Sequence, residues 1–159
     1  MKRCVSITCL LVCLAAVPGA ARQVSADFVS VYQIVADGKL ARGEAPEVDP
    51  KLKRFQTQLE RQGFAKYKFT SVVAFDVPRD QSRAYRMMYD HTLHVRPGRP
   101  SRANATKLSL RLVQGKRGRE KELLQTEVEL AAKDVLILGA WPVPDGHLIF
   151  VVAPGAARP

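Results

Sequence analysis

Two strongly apolar runs near the C-terminus constrain this chain most. Residues 135–139 (VLILG) and 147–153 (HLIFVVA) flank the turn-rich AWPVPDG. Neither shows the apolar–polar alternation of a half-exposed strand. Unbroken apolar runs of this length suit strands covered on both faces. The pair therefore predicts a hairpin at the doubly covered middle of a sheet, with Trp141 in the connecting loop. Such a hairpin needs cover from two directions, and the rest of the chain must supply it.

One cover is an amphipathic helix over residues 50–62. Asp49 is a helix-capping residue and Pro50 occupies the first helical position, where its missing N–H costs nothing. Leu52, Phe55 and Leu59 fall on one face, Lys53, Arg54, Gln58 and Arg61 lie off it, and Gly63 is placed to end the element. The remaining segments read as strands. Residues 27–35 (DFVSVYQIV) and 67–77 (YKFTSVVAFDV) are rich in β-branched and aromatic residues. Leu108, Leu110 and Leu112 alternate with Ser109, Arg111 and Val113. Leu124, Thr126, Val128 and Leu130 alternate with Gln125, Glu127 and Glu129 across a GKRGR hairpin tip. Residues 81–91 fit two readings. Ala84, Met87, Met88 and His91 have helical spacing, whereas Tyr85, Met87, Tyr89, Leu93 and Val95 share one face of an extended chain; the longer alternation favours strand. The expected class is mostly β (α+β), an antiparallel sheet or sandwich of about six to seven strands with one amphipathic helix packed on it.

The N-terminus reads differently. Met1-Lys2-Arg3 is basic, residues 5–17 are apolar, and Pro18-Gly19-Ala20-Ala21 puts small residues before Arg22. That is the pattern of a cleavable signal peptide over 1–21, and the apolar run is too short to span a bilayer. Cys4, Cys9 and Cys13 all lie in this leader, so a processed chain would hold no thiol and no disulfide. Valine before Cys13 does not suit a lipoprotein cleavage site. The expected organisation is a leader over 1–21, one exported domain over 22–153, periplasmic or secreted, and a flexible tail over 154–159.

This order of elements, with VDPKLKRFQTQL, a YKFTSVV strand and a closing VLILG…PDGHLIFVVA, resembles that of uncharacterised short exported hypothetical proteins of myxobacterial type. The resemblance covers nearly all of the chain after the leader, and its motifs are structural. It implies a shared compact fold and an exported location, with no functional residues to carry over. Where those proteins commonly have a double glycine before the last hairpin, this chain has Gly139-Ala140.

Charge is the other departure from an ordinary composition. Residues 79–119 hold 11 basic side chains and two acidic ones, Asp80 and Asp90, within a chain of formal net charge +10. Arg86, Arg96, Arg99, Arg102, Arg111, Lys116, Arg117 and Arg119 are the candidate residues for an anionic surface, and Trp141 is a candidate contact residue. The expected partner is an anionic envelope polymer, lipid headgroups or another envelope protein; export disfavours nucleic acid. The plainer reading of these charges is a solvated face. Two further classes stay open: a hydrolase-like enzyme using Asp90, His91 and His94, and a carrier for an apolar small molecule between sheet and helix. His91 and His94 are three apart, which on a strand puts them on opposite faces, so no metal is expected there. Asn104-Ala105-Thr106 matches a glycosylation acceptor. No nucleophile elbow, phosphate loop or dinucleotide fingerprint occurs, and nothing calls for a cofactor.

Overall fold

Two strands with both faces buried organise the molecule. The structure, a computed structural model, describes residues 28–76, 81–102, 105–116 and 118–155; the expected leader lies outside them. In β1 (Phe28–Lys39), Val29 and Val31 point to one side while Tyr32, Ile34 and Ala36 point to the other, all essentially inaccessible. In β9 (Gly146–Pro154), Leu148, Phe150 and Val152 alternate in the same way with Ile149, Val151 and Ala153. These two strands pair antiparallel at the centre of a five-stranded sheet. Its other members are β2 (Glu47–Val48), β3 (Phe64–Asp76) and β8 (Leu136–Val143), in the order β2-β3-β1-β9-β8. All the pairings are antiparallel except the two-residue pairing of β2 with β3.

A second antiparallel sheet covers one face. It contains β4 (Arg83–Arg86), β5 (His91–Gly98), β6 (Ala105–Gln114) and β7 (Lys121–Ala131), in sequence order. Leu93, Val95, Leu108, Leu110, Leu112 and Leu130 meet Val29, Val31, Leu148, Phe150 and Val152 between the sheets. The helical segment covers the opposite face of the five-stranded sheet, where Leu52, Phe55 and Leu59 pack on Tyr32, Ile34, Ala36 and Tyr67. The result is a three-layer, mostly β domain in which one helical segment and one sheet clasp the five-stranded sheet.

The helix starts where expected. The Asp49 carboxylate accepts the Lys51 N–H at 3.0 Å, and Pro50 opens the helix. It begins as a 3-10 helix (Pro50–Phe55) and continues as α1 (Gln56–Glu60), shorter than the expected 50–62. The change of pitch follows the apolar spacing. Leu52 and Phe55 are three apart and align in a 3-10 turn, whereas Phe55 and Leu59 are four apart and align in an α turn. The Tyr67 hydroxyl donates at 2.5 Å to the Leu59 carbonyl, which also accepts the Gln62 N–H at 2.8 Å, and so ties the helix end to β3.

Three expectations need correction. Among the described residues there are nine strands in two sheets, where six or seven were expected. The additions are β2 and the division of 81–98 into β4 and β5. That division is a two-residue turn in which Tyr89 and Asp90 both have φ of 55° and the His91 N–H reaches the Met88 carbonyl at 3.2 Å. Such type I′ geometry usually carries Asn and Gly, so Tyr-Asp leaves no legible turn signal. Second, only β9 of the C-terminal hairpin is doubly covered. β8 is an edge strand and mostly half-buried, because the neighbour that β9 takes on its other side is β1. Third, Pro154 and Gly155, placed with the tail by sequence, belong to the sheet: Pro154 pairs with Val29, and the Gly155 N–H donates to the Phe28 carbonyl at 2.7 Å.

The Gly139-Ala140 pair sits in a bulge where the β8–β9 register shifts. A side chain at Gly139 would place its first carbon 2.7 Å from the Leu148 carbonyl oxygen, so glycine is required there. Ala140 has φ of 76°, which costs an alanine about 1–2 kcal/mol relative to glycine. Allowing for the extra unfolded-state entropy of glycine, Ala140→Gly is expected to stabilise the domain by about 0.5–1 kcal/mol in urea unfolding. In the same assay Tyr67→Phe is expected to cost about 0.5–1.5 kcal/mol, because it removes the hydroxyl that donates to the Leu59 carbonyl and accepts the Phe64 N–H.

Candidate anionic-surface interface

Strand alternation sorts the basic segment. Along β5 and β6 the odd and even positions separate Leu93, Val95, Leu108 and Leu110, which are buried, from His94, Arg96, Ser109 and Arg111 on the outer face. β7 adds Gln125, Glu127 and Glu129 to that face, since Arg111 stands opposite Gln125, Ser109 opposite Glu127 and Lys107 opposite Glu129. The outer face of the four-stranded sheet is thus basic on β5 and β6 and acidic on β7.

The acidic strand answers part of the charge. Arg111 pairs with Glu122 at 2.6 Å, Lys107 with Glu127 at 3.1 Å and Arg102 with Glu129 at 3.8 Å, while Arg86 lies 3.6 Å from Asp90. Pairs this exposed contribute little stability, about 0–1 kcal/mol each, but they orient the side chains. Among the described residues Arg83, Arg96 and Arg99 form no ion pair and are exposed.

The candidate residues do not form one cluster. The β5–β6 and β6–β7 loops leave opposite ends of β6, which at ten residues puts them about 30 Å apart. Arg96, Arg99 and Arg102 gather at the first end. Arg86, Lys116 and Arg119 lie toward the second, where the Gly115 N–H donates to the Asp90 carbonyl at 2.9 Å. Arg111 lies between them. Arg117, Arg79, Asp80 and the Asn104 acceptor lie outside the described residues.

Glu129 builds the first end. Its carboxylate accepts from the Ser101 hydroxyl at 2.6 Å and from the Ser101 and Arg102 backbone N–H groups at 3.1 and 2.9 Å. The Ser101 hydroxyl, the two N–H groups and the Arg102 charge hold this carboxyl below the usual glutamate value. The loop that carries Arg99 and Arg102 is thereby tied to β7. Arg96, Arg99, Arg102 and Lys107 share this end with only Glu127 and Glu129 nearby in register, whereas Arg83 stands opposite Val95, level with the middle of β6 and on the other face. Neither Arg83 nor Glu129 was a candidate by sequence. The sequence signal for Glu129 is its place in the β7 alternation, opposite Lys107.

The structure keeps Asp90, His91 and His94 apart. Asp90 is exposed on the turn toward Arg86. His91 is fully buried between the sheets, its Nδ1 3.0 Å from the Met88 carbonyl and its Nε2 without a hydrogen-bond partner. His94 is on the outer face, opposite Ala84 and Arg111. Among the described residues no group of three or more His, Cys, Asp or Glu side chains is placed to hold a metal ion. Leu52, Phe55, Leu59 and Tyr67 fill the space between helix and sheet where an apolar ligand was considered. Trp141, expected in a loop, lies in β8, half-buried against the core with its ring 5.8 Å from that of Phe150. No described helix is long and apolar enough to cross a membrane. Comparison with protein-family models, curated proteins and solved structures returns no match.

Because the folded-state value of Glu129 is depressed, the unfolded chain binds the extra proton first as pH falls. The contribution of this carboxylate is therefore present above the ordinary value of 4.5 and lost as pH drops through its lower folded value. Glu129→Gln is expected to be less stable than the parent at pH 7, with the two urea midpoints converging at acid pH. Parallel midpoint curves down to the acid limit would count against this role.

Proposed function

We propose that this is an exported, non-enzymatic domain, akin to the short exported proteins it resembles, that binds an anionic envelope component through one end of its four-stranded sheet. The reading rests on one observation: Arg96 and Arg99 are exposed and unpaired at the end where Glu129 fixes the β5–β6 loop. The cations nearer β7, Arg102, Lys107 and Arg111, are paired with its carboxylates. Arginines held apart on a rigid sheet present guanidinium groups at set spacings, which suits a polymer of repeated phosphate or carboxylate groups. Of the candidate residues, Arg96 and Arg99 carry this reading; Arg102 is paired with Glu129, and Arg86, Lys116 and Arg119 lie too far along the sheet to share a single contact.

Retention on a heparin or lipopolysaccharide matrix across a salt series tests it. A basic residue near an anionic surface contributes about 1 kcal/mol, so the Arg96→Gln/Arg99→Gln double variant is expected to bind roughly 30-fold more weakly at low salt. Arg111→Gln, whose cation is already paired with Glu122, is expected to change retention far less. Passage of the parent protein straight through at low salt would overturn the proposal, as would equal losses from Arg111→Gln and the double variant.

A further inference from the structure

We propose that Lys51 and Arg54 form a second anion site, on the helical side of the molecule, that takes a terminal phosphate group. The two cations are three residues apart in a 3-10 helix, where positions i and i+3 eclipse, so they project from the same side. Both rest on aromatic rings. The Arg54 guanidinium lies 4.6 Å from the Tyr32 ring centroid and 4.5 Å from that of Phe55, and the Lys51 ammonium lies 4.9 Å from the centroid of Phe69. These rings are themselves adjacent, with Tyr32 5.0 Å from Phe55 and 6.5 Å from Phe69. Tyr32 and Phe55 are buried and cannot move away, so the two charges stand on a rigid aromatic floor.

Two features point to a ligand. Among the described residues neither cation has a carboxylate partner, although like charges one turn apart repel. Of the two carboxylates on this segment, Asp49 is turned onto the Lys51 backbone N–H at 3.0 Å and Glu60 is held by Gln56 at 2.9 Å. Arg54 also donates one Nη2 hydrogen to the Tyr32 hydroxyl, which sets the guanidinium plane and leaves its other donors without a protein acceptor. A group with charge near −2 and three terminal oxygens can accept from a guanidinium edge and an ammonium together. A single carboxylate would be served by Arg54 alone and would leave the Lys51 charge unmatched. Terminal phosphate is therefore the preferred ligand, whether on a soluble phosphomonoester or on a headgroup ending in one. The site lies across the five-stranded sheet from the arginines proposed above and does not depend on them.

Titration of the protein with inorganic phosphate, glycerol phosphate and acetate, followed by the arginine Nε–H and backbone amide resonances, tests this. Saturable shifts centred on residues 51–54 are expected, with acetate about tenfold weaker than phosphate. Arg54→Gln and Lys51→Gln are each expected to weaken phosphate binding by at least about fivefold, and Arg96→Gln/Arg99→Gln to leave it unchanged. Phosphatidylcholine vesicles with and without phosphatidic acid distinguish the source. Retention that needs both phosphatidic acid and Arg54 assigns a headgroup, and phosphate binding without such retention assigns a soluble ligand. Shifts that never saturate, or that persist in the Arg54→Gln and Lys51→Gln variants, would overturn the site.

Discussion

The packing of β1 and β9 through both faces is the constraint on which this structure depends. Each strand sends alternate side chains into two separate clusters, and neither cluster is closed by the five-stranded sheet alone. One requires Leu93, Val95 and the leucines of β6; the other requires Leu52, Phe55 and Leu59. A truncation at Phe150 would therefore be felt by the four-stranded sheet, and one at Ile149 by the helix, though the two residues are neighbours in sequence. Deletions of this kind cost about 2–5 kcal/mol in a packed core, a large part of the stability of a domain this size.

Polar groups close the joints that apolar packing leaves. Gln33, buried on β1, accepts the Met88 N–H at 3.1 Å and so ties the β4–β5 turn to the other sheet. The Tyr89 hydroxyl donates to Asp145 at 2.6 Å, linking that turn to the β8–β9 turn. This bond to Asp145 raises the Tyr89 phenol above its ordinary value. The left-handed backbone of Tyr89 and Asp90 is thus held from two sides, which is how a strained turn without glycine persists.

The layered arrangement also decides what is left for solvent. One face of the five-stranded sheet and one face of its partner are consumed by the contact between sheets, and the helical segment takes part of a third. The outer face of the four-stranded sheet remains, and there β6 and β7 lie side by side with opposite charge. Arg96 and Arg99, on β5 and the loop after it, sit farther from β7 and stay unpaired, as do Lys116 and Arg119 in the loop before β7. On the other side of the molecule, aromatic side chains that seal the helix to the sheet also support Lys51 and Arg54, so one set of rings serves packing and charge placement together.

Local chemistry in the sequence determined much of this. Asp49-Pro50 set the helix start, the leucine alternation set the faces of β6 and β7, and the unbroken apolar run of residues 147–153 announced a strand buried on both sides. Those signals are short-range, because capping and side-chain periodicity depend on a few neighbouring residues. The tertiary structure decided what lies beside what. It put β1, distant in sequence, next to β9, made β8 an edge, and bent Tyr89-Asp90 into a turn stabilised by Gln33 and Asp145. It also paired the basic strand with the acidic one, leaving Arg96 and Arg99 unpaired at one end and Lys116 and Arg119 at the other. Strand neighbours and cross-sheet hydrogen bonds join residues far apart in the chain, so no local pattern encodes them.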